Sequence, residues 1–123
     1  MQALGRHLLA ELTGCDPARL SDLEHVTTAM LAAAERAGAT IITHNFHHFS
    51  PLGVSGAVII AESHLAIHTW PEYRFAAVDL FTCVSRVEPR RALLHLKEAL
   101  GAQDLEVLEY ERGPLRQLDL CHL

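Results

Sequence analysis

Three side chains able to attack a carbonyl or move a proton, Ser63, His68 and Cys83, fall within one stretch, GVSGAVIIAESHLAIHTWPEYRFAAVDLFTC, from Gly53 to Cys83. A lone serine hydroxyl is a weak nucleophile, a histidine titrates near neutrality, and a thiol titrates close enough to it to donate a proton. Together they could support attack by oxygen followed by separate proton transfers. The stretch alternates apolar and polar residues and reads as strands. Ser63 and His68 are five positions apart, which on a regular strand turns them to opposite faces. For them to meet, the chain must bend or bulge near Ser63, or Ser63 must end the strand before it. Cys83 must reach them from a neighbouring strand.

Each residue also has a plainer reading. Taken alone, Ser63 is an ordinary strand serine, His68 a half-buried histidine and Cys83 a small core hydrophobe. His44, His47, His48 and His64 could suggest a metal site. Their placement on alternating faces suits tetrahedral binding poorly and no cysteine lies nearby in sequence, so no metal is expected. Trp70 and Phe81 read as core or interface residues, and Cys15 and Cys121 carry no argument.

The elements that must position these groups follow from the periodicity. Residues 3–13 read as a first strand, ended by Asp16-Pro17. Ser21 is expected to open a helix, with Glu24 completing a capping box. Leu23, Val26, Met30 and Ala34 then recur at helical spacing, and Gly38 is placed to end the helix. Period two returns from Ala39 to Phe49, and Ser50–Gly53 is a turn. Val54 to Glu62 reads as a strand buried on both faces because of its AVII centre. His64 to Trp70 and Phe75 to Cys83 are the next strands. Pro89 and Gly101 bracket a second helix whose stripe is Leu93, Leu96 and Leu100. Leu105, Val107 and Glu109 suggest a last strand. The predicted fold is α+β, a two-layer α/β sandwich with a mainly antiparallel sheet and helices on one face.

Composition narrows the function classes. A chain of 123 residues, half of them apolar, is one domain with a core of its own. A formal charge of −5 with mixed signs along the chain argues against a nucleic-acid groove. No apolar run reaches membrane-spanning length, and MQALGRHLLAELTGCD lacks a signal-peptide core. Three cysteines without CxxC spacing make a disulfide framework or zinc knuckle unexpected, so the cytoplasm is the expected compartment. One face of such a sheet has no helix to cover it, so a homodimer is expected.

The run ESHLAIHTWPE, with LGRH at 4–7 and ERG at 111–113, resembles the S-adenosylmethionine decarboxylases, in particular the small prokaryotic form made as one short proenzyme. The resemblance covers nearly the whole chain. It implies self-cleavage between Glu62 and Ser63 into residues 1–62 (β chain) and 63–123 (α chain), held non-covalently as a homodimer of processed protomers. Ser63 would become a pyruvoyl group that forms a Schiff base with the substrate amine, in place of pyridoxal phosphate. By matching positions, His68 is the proton acceptor in processing, Ser55 in GVSG the hydroxyl that assists it, and Cys83 the proton donor in catalysis. Phe49 and Glu72 match positions that could stack adenine and accept from ribose hydroxyls. The product would be decarboxylated S-adenosylmethionine, an aminopropyl donor for spermidine and polyamine synthesis. The chain departs from the family pattern at Arg74 and Val84, where glycines are usual, and at His44 and Asn45, where smaller residues are common. Ornithine or arginine as substrate, or an uncleaved non-catalytic paralogue, are the alternatives.

Overall fold

Period-two burial builds a single sheet. In the strand β5 (Phe75–Thr82), Ala76, Val78, Leu80 and Thr82 are buried, while Phe75, Ala77, Asp79 and Phe81 are only partly covered. The other strands are β1 (Ala3–Thr13), β2 (Ile41–His48), β3 (Val54–Ile60), β4 (Ser63–Trp70) and β6 (Asp104–Pro114). All pair antiparallel in the order β2-β3-β4-β5-β1-β6. This is a computed structural model and it describes residues 3–115. Cys121, and the end of the expected α chain, lie outside the described residues.

One sheet face is covered by helices α2 (Leu23–Arg36) and α3 (Pro89–Ala99), and the core lies between. Val26 and Met30 of α2 and Leu93 and Leu96 of α3 meet Leu8, Val58, Leu65, Ile67 and Leu80 of the sheet. Thr69 Oγ1 locks one end of the layer. It accepts from the Val54 N–H and donates to the Leu20 carbonyl, both at 2.8 Å, so no buried hydroxyl is wasted. The other face carries His7, Leu9 and Glu11 of β1, Ser55, Ala57 and Ile59 of β3, and His64, Ala66, His68 and Trp70 of β4. No helix crosses it among the described residues. The α+β sandwich is therefore as expected.

Three local expectations are corrected. The capping box at Ser21 and Glu24 does not form. A short helix α1 (Pro17–Leu20) comes first, capped by Asp16, whose carboxylate accepts from the Ala18 N–H at 3.0 Å. Ser21 closes that helix, and the Asp22 carboxylate, a stronger acceptor than a hydroxyl, caps α2 through the His25 N–H at 3.1 Å. Leu23 consequently sits at the α2 start, 39% exposed, rather than in the buried stripe. β3 is buried on one face only: Val54, Val58 and Ile60 are covered, but Ile59 is 44% exposed. It also stops at Ile60, leaving Ala61 and Glu62 as a turn. Trp70 and Phe81 lie on the uncovered face, which leaves the interface reading of the two.

Arg74 occupies a left-handed conformation (φ 53°, ψ 40°) after the turn Pro71–Tyr73 and is exposed. Its backbone is pinned there, its N–H donating to the Pro71 carbonyl and its own carbonyl accepting from the Cys15 N–H. A side chain in that region costs roughly 1–2 kcal/mol, part of which glycine would return through its freer unfolded chain. Arg74→Gly is expected to leave the fold intact and to be neutral to about 1 kcal/mol more stable in urea denaturation. A clear loss of stability would mean that the Arg74 side chain makes a contact that outweighs its backbone strain.

Candidate active site

The β3–β4 hairpin presents the Glu62–Ser63 bond at its tip. Ser63 has φ 148°, a region that a serine rarely adopts, at the first position of β4. It stays in register on both sides, opposite Ile60 and Thr82. The Glu62 carbonyl oxygen accepts from the Cys83 N–H at 3.1 Å and from the Cys83 Sγ at 3.2 Å. Cys83, just past the end of β5, thus reaches the bond from a neighbouring strand, as expected.

Glu62 itself is a charged residue only 2% exposed. Its carboxylate accepts from the Thr40 N–H at 3.0 Å and from the Arg86 guanidinium. The Thr40 N–H is the main reason that the Glu62 carboxyl titrates below the usual range; burial opposes the shift, and the Arg86 charge adds to it. The Ala61 N–H donates to the Thr40 carbonyl at 2.8 Å, so the tip is fastened to Thr40 in both directions.

His68 and Ser55 form a second group. Ser55 Oγ and His68 Nδ1 are 2.7 Å apart on paired positions of β3 and β4. They line an open recess of about 410 Å³ with Asn45, His47, Ala57 and Ala66. Phe49 and Glu72 lie toward the same end of the sheet, past β2 and β4 respectively, and both are exposed. His68 is five residues along β4 from Ser63, about 16 Å at the usual rise per residue. Neither a bulge nor the end of β3 brings the two together within one chain. The tip holds Ser63, Glu62 and Cys83; the recess holds Ser55 and His68.

A third cluster has no counterpart in the sequence reading. His64 does not join His44, His47 and His48. It stands with His7 and Asp79 on the uncovered face, the three offering ligand atoms within 4.8 Å of one another. Arg112 donates to His7 Nδ1 at 2.8 Å, so His7 Nε2 carries the hydrogen and donates to Asp79 at 3.0 Å. That tautomer makes a hydrogen-bonded chain and leaves Nε2 without the lone pair a metal would need. The Arg112 guanidinium also lies 5.6 Å over the Phe81 ring.

Comparison with known proteins decides the family. Residues 6–113 match the model of the S-adenosylmethionine decarboxylase family. The chain belongs to the S-adenosylmethionine decarboxylase family. It is 58% identical over 113 residues to an S-adenosylmethionine decarboxylase proenzyme of Acidithiobacillus ferrooxidans, covering 92% of this chain and 85% of that one. It is 54% identical to one of Thermotoga petrophila, covering 92% and 87%. The crystal structure of the adenosylmethionine decarboxylase of Aquifex aeolicus superposes with a TM-score of 0.84 at 34% identity, covering 92% of this chain and 93% of that one. A Trypanosoma brucei AdoMetDC monomer shares the fold at 16% identity and a TM-score of 0.60, over 45% of its length.

In this family member the residues that sequence reading missed are Thr40 and Arg86 around Glu62, and His7, Asp79 and Arg112 around His64. Only the rarity of a buried glutamate could have hinted at the first pair, and burial is not visible in the sequence. The depressed Glu62 titration makes a testable claim. Its stabilising contribution is complete above the unfolded carboxyl value near ~4.3 and is lost as pH falls through the lower folded value. In a Ser63→Ala background that keeps the chain whole, Glu62→Gln is expected to destabilise at pH 7 by roughly 1.5–3 kcal/mol. The gap should shrink at pH 3. Urea midpoints at the two pH values check this, and a gap that stays constant would remove Glu62 as the acid-sensitive group.

Proposed function

We propose that this chain is a proenzyme that cleaves itself between Glu62 and Ser63 and then decarboxylates S-adenosylmethionine through a pyruvoyl group. The observation that carries the reading is the grip on the bond: two donors from Cys83 on the Glu62 carbonyl oxygen, with Ser63 held at φ 148°. Donors fixed on a carbonyl oxygen stabilise the negative charge that appears there when a nucleophile adds. Ser63 Oγ attacks the Glu62 carbonyl carbon, the carbon–nitrogen bond breaks, and Glu62 is left joined to Ser63 through an ester. A base then removes the Ser63 Cα proton and the Glu62 carboxylate departs. Water converts the remaining dehydroalanine to a pyruvoyl group and ammonia leaves.

The residues fit that group. Ser63 begins a strand, so the chain can end there and keep its pairing with Thr82. A pyruvoyl group supplies an electron sink for the leaving carbon dioxide once it has bound the substrate amine. Cys83 is the residue suited to return a proton to the substrate carbon, since its exposed thiol stands beside the bond. Cys15 cannot serve: it is fully buried, and burial pushes its thiol up to about 11.

The base is His68, and it comes from a second copy of the chain. His68 and Ser55 lie too far along the sheet to reach their own Ser63. The uncovered face exposes Leu9, Ile59, Trp70, Leu108 and Tyr110 at 37–61%, an apolar surface suited to burial against itself. A face-to-face pair related by a two-fold axis across the strands would turn the His68 end of one copy toward the Ser63 end of the other. Phe49 and Glu72 travel with His68, which supports adenine stacking and ribose binding by the partner copy.

That the relatives are S-adenosylmethionine decarboxylase proenzymes by name favours S-adenosylmethionine over ornithine or arginine, and release of carbon dioxide from each substrate tests this directly. Co-expression of Ser63→Ala and His68→Ala chains of distinguishable mass tests the arrangement. Neither variant should cleave alone. In the mixture the His68→Ala chain, which keeps Ser63, should be cut at Glu62–Ser63 because its partner supplies His68. If wild type cleaves and the mixture does not, His68 acts within its own chain.

A further inference from the structure

We propose that Arg86 is a positioning residue for self-cleavage, holding the Glu62–Ser63 bond in its reactive orientation through the Glu62 side chain. This rests on the self-cleavage reading above. Arg86 lies in the connection between β5 and α3, and its side chain is largely exposed. Its guanidinium nonetheless reaches inward to the Glu62 carboxylate with one nitrogen and to the Gly38 carbonyl, at 3.2 Å, with another. The loop that carries it is latched to the same turn, the Glu88 N–H donating to the Ala37 carbonyl at 2.9 Å. The guanidinium therefore bridges two segments and a hairpin tip.

Orientation is what the chemistry at this tip requires. Ser63 is free of strain only if it relaxes toward an ordinary extended φ. Such a relaxation rotates the Glu62–Ser63 peptide plane and takes the Glu62 oxygen away from Cys83. The carbonyl contacts alone oppose that rotation with one N–H and one weak S–H donor. The Glu62 side chain adds a second anchor on the other side of the same residue, between the Thr40 N–H and Arg86. A charge-assisted pair at a nearly buried carboxylate is stiff, and misplacing a reacting bond by about 1 Å can slow a reaction on the order of a hundredfold. Without Arg86 the carboxylate keeps one neutral donor and gains a reason to swing out to water.

The test follows full-length chain made by cell-free translation and chased over time. The readout is the ratio of intact chain to fragments for wild type, Arg86→Ala and Arg86→Lys. Arg86→Ala is expected to cleave at least about tenfold more slowly, and Arg86→Lys to recover much of the rate, because an ammonium restores the charge without the guanidinium fork. The same substitutions in the Ser63→Ala chain report folding through urea midpoints, which should show both variants folded. Cleavage of Arg86→Ala at the wild-type rate overturns the proposal and leaves the self-cleavage reading standing. Slow cleavage that lysine does not restore, with midpoints that fall in parallel, also overturns it, since Arg86 would then only hold the fold. A wild-type chain that never cleaves removes the self-cleavage reading and this inference together.

Discussion

A carboxylate cannot be taken out of water without donors to meet it, and Glu62 is almost wholly out of water. That requirement organises the end of the sheet where the candidate chemistry lies. One donor is a main-chain N–H from the turn between α2 and β2; the other is a guanidinium from the connection between β5 and α3. Both segments must come to the hairpin tip, and their backbones are bonded to each other there. The consequence is a peptide bond that cannot move independently of three parts of the fold. A serine at an unfavourable φ persists only when its surroundings over-determine it. Glu62 supplies that determination from one side and Cys83 from the other.

A second constraint is the length of β4. Its residues rise by about 3.3 Å each, so Ser63 and His68 sit near opposite ends of one strand. A single sheet layer has no way to fold the two ends together. It does have an unused face, and the apolar side chains on that face alternate with the polar ones of the candidate site. The same period of two that buries Leu65 and Ile67 under the helices aims His64 and His68 outward. Under the proposed pairing of two copies, one contact would both cover the outward face and bring His68 to the other copy's Ser63.

Much of this was legible in the sequence. Alternation in Phe75–Thr82 and the helical stripe of Leu93, Leu96 and Leu100 carry the layer arrangement in their spacing. The ESH tripeptide and its flanks carry the family. What was not legible depends on competition or on distance. Asp22 displaced Ser21 as the α2 cap because a carboxylate accepts better, though both residue types suit the position. The apolar run in β3 looked doubly buried because sequence does not distinguish a face that meets helices from one that faces outward. Arg86 and Thr40 are 24 and 22 residues from Glu62, and no spacing rule connects a loop arginine to a buried carboxylate. Likewise His7, Asp79 and Arg112 become neighbours only through the pairing of β1 with β5 and β6.

The topology also explains how a chain cut between Glu62 and Ser63 would remain one body. Residues up to Glu62 carry β1, β2 and β3; residues from Ser63 carry β4, β5 and β6. In the sheet the order is β2-β3-β4-β5-β1-β6, so the two sets interleave. β1 lies between β5 and β6, and β3 lies against β4. Separating the fragments would break three full strand pairings and pull α2 from α3 through the shared core. Each pairing contributes a ladder of hydrogen bonds, and the core adds burial of Leu8 and Met30 from one fragment against Leu80 and Leu93 from the other. The covalent link at the tip is thus the least important connection between the halves. Its loss would free Ser63 for new chemistry at a strand end that the rest of the sheet still holds in place.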